Sequence, residues 1–347
     1  MKTFDWGKDF AQVGGKEVSV LDAAARYNVS VTAPYIDFGA MPRFTWGDQT
    51  EALNAAIEAQ MPKFQITGTI DPSVKKATLF DTWSHPLTVS SLGFAFPGIH
   101  QLTGSCVGAG GGNVAFSLLA IQAITLRKPE EIVVPFWPFT YGRGRLRSGS
   151  RNPGEGSSGT GQSEAMRLDG IMSGVYQGLP SFTHNDGIVY SSSIEMSWSD
   201  GDAAQAMNLL PVAQKHLIKT VAKLKSSDDV RAAICAGYPV TEASMYGFNP
   251  RVEGEGSDAV LVGRRGPRWS HQMSFHGWWE HPKLGELFWL QNQWGLNAHG
   301  RDPSGGPLGG VWVPKSDVDW LIRDGDECFA FSQFDGFPAQ TFEWGAY

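Results

Sequence analysis

The stretch GSCVGAGGGNVAFSLLAIQAI, from Gly104 to Ile124, constrains the fold of this chain more than any other. From Val114 onward it is apolar nearly all round, the pattern of a helix buried on every side. Its first turns carry Gly108, Gly110, Gly111 and Gly112 directly behind Cys106. A glycine inside a helix costs about 1 kcal/mol against alanine. Either neighbouring chain, such as residues 141–162 or the N-terminal section, needs the room that the missing side chains leave, or the first turns are not required to be well formed. The first alternative suits an enzyme that sharpens a thiol, the second a protein that has retired one.

The chain has 347 residues, 41% of them hydrophobic and 18% charged, which fits a globular protein with one large domain or two small ones. Thirteen Trp and twenty Phe promise an aromatic core, while 42 Gly and 20 Pro predict long loops and a minority of helix. A net charge of −7 without a basic stripe argues against a nucleic-acid partner. Cys106, Cys235 and Cys328 are too few and too scattered for a disulfide framework or a zinc site, so no metal and no cofactor is expected. Lys8 and Asp9 precede any apolar run, unlike a secretory signal, and no stretch reads as a membrane span. A reducing, cytoplasmic setting is expected.

Along the chain, GDQTEALNAAIEAQM reads as a helix capped by Asp48, with Glu51 in a capping-box relation, and FQITGTI as a short strand. No chemistry is evident before residue 78, and residues 1–77 read as an N-terminal extension or arm. The glycine-rich, basic run Tyr141–Gln162 reads as an extended surface loop. Helices are expected from Ser163, through the DGDAAQAMNLLPVAQKHLIKTVAKL stretch with a break at Pro211, and from a Ser226–Ser227 cap to a stop at Gly237. Cys235 on that last helix reads as a packed core thiol. From Tyr238 the texture turns to strands: YPVTEASMYGF, DAVLVG, SHQMSFHGWW, GELFWLQNQWG, GGVWVPKSDVDWLI and ECFAFSQF. A helical front and a β-rich back predict an α+β protein with a site at the interface of its halves.

A cysteine at a helix N-terminus has its thiolate favoured by the helix dipole and by unpaired N–H groups. Downstream, His271 heads one apparent strand and Asn292 ends another, the partners such a thiol would use. These residues resemble the papain-like cysteine peptidases. HQLTGSCVGAGGGNVAFS is similar to the family's glutamine, Gly-Ser-Cys and apolar helix. His271, Gly277 and Trp278 match its histidine strand, and Asn292-Gln293-Trp294-Gly295 matches Asn-Ser-Trp-Gly at three of four positions.

The resemblance covers about residues 78–335 and implies an α+β, two-lobed fold. Its helical lobe would span about residues 100–235 and its antiparallel β-rich lobe about 236–335, with a cleft between them and a tail over 336–347. It implies Cys106 as nucleophile, His271 as base, Asn292 as the residue orienting it and Trp294 as its shield. Gln101 and the Cys106 N–H would form the oxyanion hole. GTGQSEAM resembles the family's groove-lining glycine run, so Gly159, Gly161, Gln272 and Trp294 are the candidate substrate-binding residues. Several positions depart from the pattern. Gln101 lies one residue closer to the cysteine than usual, with His100 in the customary place. Val107 replaces an aromatic, Gln272 replaces a small residue, and Thr103 replaces a disulfide cysteine. The family's pro-region pattern is not evident in residues 1–75.

Two functions follow. The first is a papain-like cysteine peptidase or related thiol amide hydrolase acting on a peptide or protein substrate. The second is a structural or binding component of a larger assembly, such as a phage virion, with weakened or lost catalysis and an assembly contact through the N-terminal extension. The remaining histidines read blandly. His276 and His281 lack two further ligands at metal spacing, while His85, His184, His216 and His299 read as isolated and solvated.

Overall fold

The computed structural model describes residues 48–127, 132–149 and 155–340. Most of the expected extension, residues 1–47, and residues 341–347 of the expected tail lie outside the described residues. The elements run α1 (Asp48–Glu58), β1 (Ile66–Thr67), β2 (Lys76–Thr78), α2 (Pro86–Leu92), α3 (Cys106–Leu126), α4 (Trp137–Arg147) and α5 (Gly159–Leu168). Three short helices follow, α6 (Ser192–Ser197), α7 (Asp202–Ala206) and α8 (Leu210–Ala213). The β-rich part comprises β3 (Thr220–Lys223), α9 (Ser227–Cys235), β4 (Val240–Glu253), β5 (Val260–His281), β6 (Gly285–Gln291), β7 (Gly310–Pro314), α10 (Lys315–Gly325), β8 (Glu327–Ser332) and β9 (Phe337–Pro338).

Helix α3 is the axis of the helical lobe, buried at nearly every position from Cys106 to Ala123. Phe116 stacks on Phe96, and Ser117 accepts from the Trp83 indole at 2.8 Å. Val114, Ala115 and Leu118 pack with Met166, Ile171, Phe329 and Phe331. At 21 residues α3 is long and apolar enough to cross a membrane, which corrects the sequence expectation that no stretch approaches one. Here 83% of its most apolar window is buried inside the protein.

The main sheet runs β3-β8-β4-β5-β6-β7, and β2 adds to β5 through Lys76–Thr78. All of these pairings are antiparallel except one parallel contact between β5 and β7. Strand β5 absorbs both DAVLVG and SHQMSFHGWW, and it is buried at every position from Trp269 to Trp278. Side chains alternate faces along a strand. Gln272 and His276 accordingly reach α3, donating to Val107 O and meeting Ser117, while Met273 and Phe275 pack with α9 and α10.

Three further readings are corrected. Residues 141–147 belong to helix α4 and 159–162 to helix α5, because the glycines there serve close packing. A Cβ at Gly142 would run into the Trp198 carbonyl, and one at Gly144 would lie 2.8 Å from the Gln162 side chain. Arg143 and Arg147, one turn apart on α4, both hydrogen-bond Asp169, at 3.0 and 3.1 Å. The expected Ser163 helix starts earlier, at Gly159, with the Ser158 hydroxyl accepting from Gly161 N–H. Finally, TVAK is strand β3 and KSDVDWLIRDG is helix α10, where helix and strand were expected in turn.

Candidate active site

Cys106 opens α3, and the glycines behind it are the slots into which its neighbours fit. A Cβ at Gly108 would stand 2.5 Å from Tyr141 Cβ on α4, and one at Gly111 would stand 2.6 Å from Gln162 Nε2 on α5. A Cβ at Gly110 would meet Gln272 Nε2 of β5 at 3.3 Å, and one at Gly112 would strike Ile99. The helix therefore gives up propensity so that α4, α5, β5 and the preceding loop can all close on its first turns. Within 141–162, Tyr141 of α4 and Gln162 of α5 do approach α3, both from helices.

The nucleophile loop is held by a residue that the sequence did not reveal. Glu195, on α6 and fully buried, accepts from Leu102 N–H at 3.0 Å and Thr103 N–H at 3.0 Å. It also hydrogen-bonds the Thr103 and Ser105 hydroxyls, both at 2.7 Å. Burial pushes its carboxyl up to about 8, against the pull of those hydrogen bonds. Glu195 lies about ninety residues from the loop, in a segment with no motif of its own.

On the facing strand, His271 pairs in register with Ser244, beside a β-bulge between Ser244 and Tyr246. Such bulges re-aim side chains. His271 Nε2 lies 2.7 Å from Asn292 Oδ1. The amide orientation follows from a main-chain group: Gln293 N–H, which can only donate, reaches the same atom at 2.6 Å and so marks it as oxygen. His271 Nε2 therefore carries a proton, which leaves Nδ1 as the ring nitrogen suited to serve a thiol. Trp294 lies over the imidazole, ring centroids 4.9 Å apart. The next residue in β5, Gln272, directs its backbone N–H at Cys106 Sγ, 3.4 Å away.

The other candidates fall as follows. Gln101 is buried, its amide Nε2 donating to Thr103 O at 2.9 Å and its backbone N–H to Gln293 O at 2.9 Å, a direct tie between the cysteine and asparagine loops. The His100 ring is turned to Asp186, with Nδ1 3.0 Å from its carbonyl. Gly159 and Gly161 are buried in the first turn of α5, where Glu327 accepts from Gly159 N–H and a Cβ on Gly161 would strike Ser148. Gln272 is buried between Gly110 and Gly159 and cross-links β5 to Val107. Trp294 is half-buried. Cys106 itself has 0% exposure, so its thiol is covered in this conformation. Among the described residues no group of three or more His, Cys, Asp or Glu side chains could hold a metal ion.

His299 is the second residue that sequence reasoning missed, since it is buried and not solvated. It lies seven residues past Asn292 and takes up that side chain's other end, Nδ2 to Nε2 at 2.7 Å.

No family model matches this sequence, and no curated protein matches it. Solved structures do. Xylellain, a cysteine protease from Xylella fastidiosa, aligns over 88% of this chain and 100% of its own, with a TM-score of 0.52 and 14% identity. Digestive procathepsin L 3 of Tenebrio molitor aligns over 90% and 86%, with a TM-score of 0.46 and 12% identity. Procathepsin B S9 from Trypanosoma congolense aligns over 79% and 82%, with a TM-score of 0.45 and 10% identity. The xylellain match is sufficient for the fold: the chain has the α+β, two-lobed fold of the papain-like cysteine proteases.

Proposed function

We propose that this chain is a thiol hydrolase of peptide or related amide bonds, with Cys106 as nucleophile, His271 as general acid and base, and Asn292 as its orienting group. The observation that carries the reading is the 2.7 Å bond from His271 Nε2–H to Asn292 Oδ1, one residue from the backbone N–H that faces the sulfur of a cysteine at a helix N-terminus. His271 would draw the thiol proton to Nδ1, and the resulting thiolate is favoured by the α3 dipole. The sulfur attacks the substrate carbonyl carbon, and the charge developing on oxygen is met by the Cys106 N–H and the Gln101 amide. Imidazolium returns its proton to the leaving nitrogen as the C–N bond breaks. Water, deprotonated by the same imidazole, then cleaves the thioester. Because the thiol is covered, substrate entry requires residues packed over Cys106 to move aside.

Brief iodoacetamide treatment near neutral pH, mapped by mass spectrometry, tests the nucleophile. Cys106 is expected to label well ahead of Cys235, whose thiol burial pushes up to about 12, and of Cys328, whose thiol burial pushes well above its ordinary value. Against a peptide library, Cys106→Ala should abolish hydrolysis. Gln101→Ala should lower turnover about a hundredfold, the usual effect of deleting an oxyanion donor. Equal labelling of the three thiols, together with an inert wild type, would favour the assembly-component reading instead.

A further inference from the structure

The hydrogen bonds around Asn292 determine more than one proton. With Oδ1 assigned by Gln293 N–H, the other end of the side chain is the NH2 group, a donor with no acceptor capacity. It stands 2.7 Å from His299 Nε2. A bare ring nitrogen is required there, so His299 is a neutral imidazole with its proton on Nδ1. Main-chain geometry at one residue thus dictates the tautomers of two histidines 28 positions apart.

We propose that His299 is a positioning residue of the Cys106 site: by accepting the Asn292 amide proton it fixes which end of that carboxamide faces His271. The proposal deepens the hydrolase reading and rests on it. A flipped Asn292 would present NH2 to His271 Nε2 and move that ring's proton to Nδ1, the nitrogen that must receive the thiol proton. Gln293 N–H opposes the flip from one end, and His299 opposes it from the other.

The surroundings keep His299 in the form this requires. Its ring lies 4.8 Å from Phe248 of β4 and 6.0 Å from Trp294 of its own loop, centroid to centroid. His271 on β5 is the titratable group that acts on it. Burial, reinforced by His271, pushes His299 down to about 4. The His299 ring therefore stays uncharged near neutral pH, as an acceptor of the Asn292 amide proton must. Only as pH falls toward about 4 would a proton on Nε2 confront the Asn292 NH2 group and break the chain.

Two variants of the full-length protein separate positioning from packing. His299→Phe keeps an aromatic ring and removes the acceptor, while His299→Gln keeps a neutral acceptor oxygen. In 15N-histidine-labelled protein, long-range nitrogen–proton correlations should show wild-type His299 protonated on Nδ1 and bare on Nε2 at neutral pH. His271 should be protonated on Nε2 in wild type and in His299→Gln, and should lose that preference in His299→Phe. The iodoacetamide rate at Cys106 near pH 6 should fall about tenfold in His299→Phe and stay within about threefold of wild type in His299→Gln. A protonated Nε2 on wild-type His299, or an unchanged His271 tautomer in His299→Phe, overturns the proposal. Should His299→Phe fail to fold, the wild-type tautomers and the His299→Gln rate decide. A wild-type Cys106 that labels like an ordinary thiol overturns the hydrolase reading alone, because the tautomer measurement needs no activity.

Discussion

The two sides of the site are held by opposite kinds of group. On the nucleophile side, a buried carboxyl, Glu195, gathers two backbone N–H groups and two hydroxyls of the loop before Cys106. On the base side, an amide and a neutral imidazole hold His271 in file. Burial drives both supports toward neutrality from opposite directions, Glu195 up to about 8 and His299 down to about 4. Between those limits neither support competes with the charge that a thiolate and an imidazolium would place between them. The comparison also explains a departure from the papain-like motif. Thr103 stands where that motif has a disulfide cysteine, and Glu195 now ties the same residue across to α6 through its N–H and its hydroxyl.

The largest break in this comparison is expected at Glu195. Glu195→Leu leaves two buried N–H groups without their acceptor, at about 1–3 kcal/mol each, and adds a bulkier apolar side chain beside two hydroxyls. Urea unfolding should show a loss of about 3–6 kcal/mol. Glu195→Gln, which retains one acceptor oxygen, should lose less than half as much. Equal losses for the two would mean that the side chain merely fills space.

Much of the fold was legible because its signals are local. Ser226 caps α9 through Asp229 N–H, Gly237 follows that helix at φ 91°, and the alternating run after Ser270 is a strand. Cys106, His271 and Asn292 could be singled out because each sits in a short motif, although His271, expected at the head of a strand, lies in the middle of β5. Glu195 and His299 could not, since what makes them matter is the main-chain donors and the amide they meet in space. The 141–162 reading failed for a related reason. Glycine is ambiguous in a sequence: it marks a loop, or it marks a place where another element comes too close for a Cβ. At Gly142 and Gly144 the second meaning holds, with Trp198 and Gln162 as the close neighbours.

The glycines at the Cys106 helix test that second meaning, with a smaller expected effect. In an exposed helix Gly→Ala stabilises by about 1 kcal/mol. Gly108→Ala should reverse the sign and cost about 1–3 kcal/mol by overpacking, because Tyr141 Cβ and the Trp137 carbonyl stand in the way. Chemical denaturation measures it directly. A stabilised Gly108→Ala would mean that α4 can retreat, and that the glycines reflect a helix start under no demand.

The finest test uses pH, because the two supports should respond with opposite signs. Glu195 binds its proton more tightly in the folded chain than at its ordinary value of 4.5, so its contribution is complete below about 4.5 and is lost as pH rises toward about 8. His299 binds its proton less tightly than at its ordinary 6.5, so its contribution is complete above about 6.5 and is lost as pH falls toward about 4. Each slope is limited to about 1.4 kcal/mol per pH unit for one proton. Other buried groups, among them Glu327 at about 7 and His276 at about 3, add slopes of their own, so the wild-type curve alone does not separate the two. Differences between wild type and variant do. The stability of wild type minus that of Glu195→Gln should decline as pH is raised from about 5 to 8. The same difference for His299→Gln should grow as pH is raised from about 4 to 6.5. Urea melts at half-unit pH steps resolve both trends. Two differences sloping the same way would mean that the nucleophile side and the base side are not held by oppositely tuned groups.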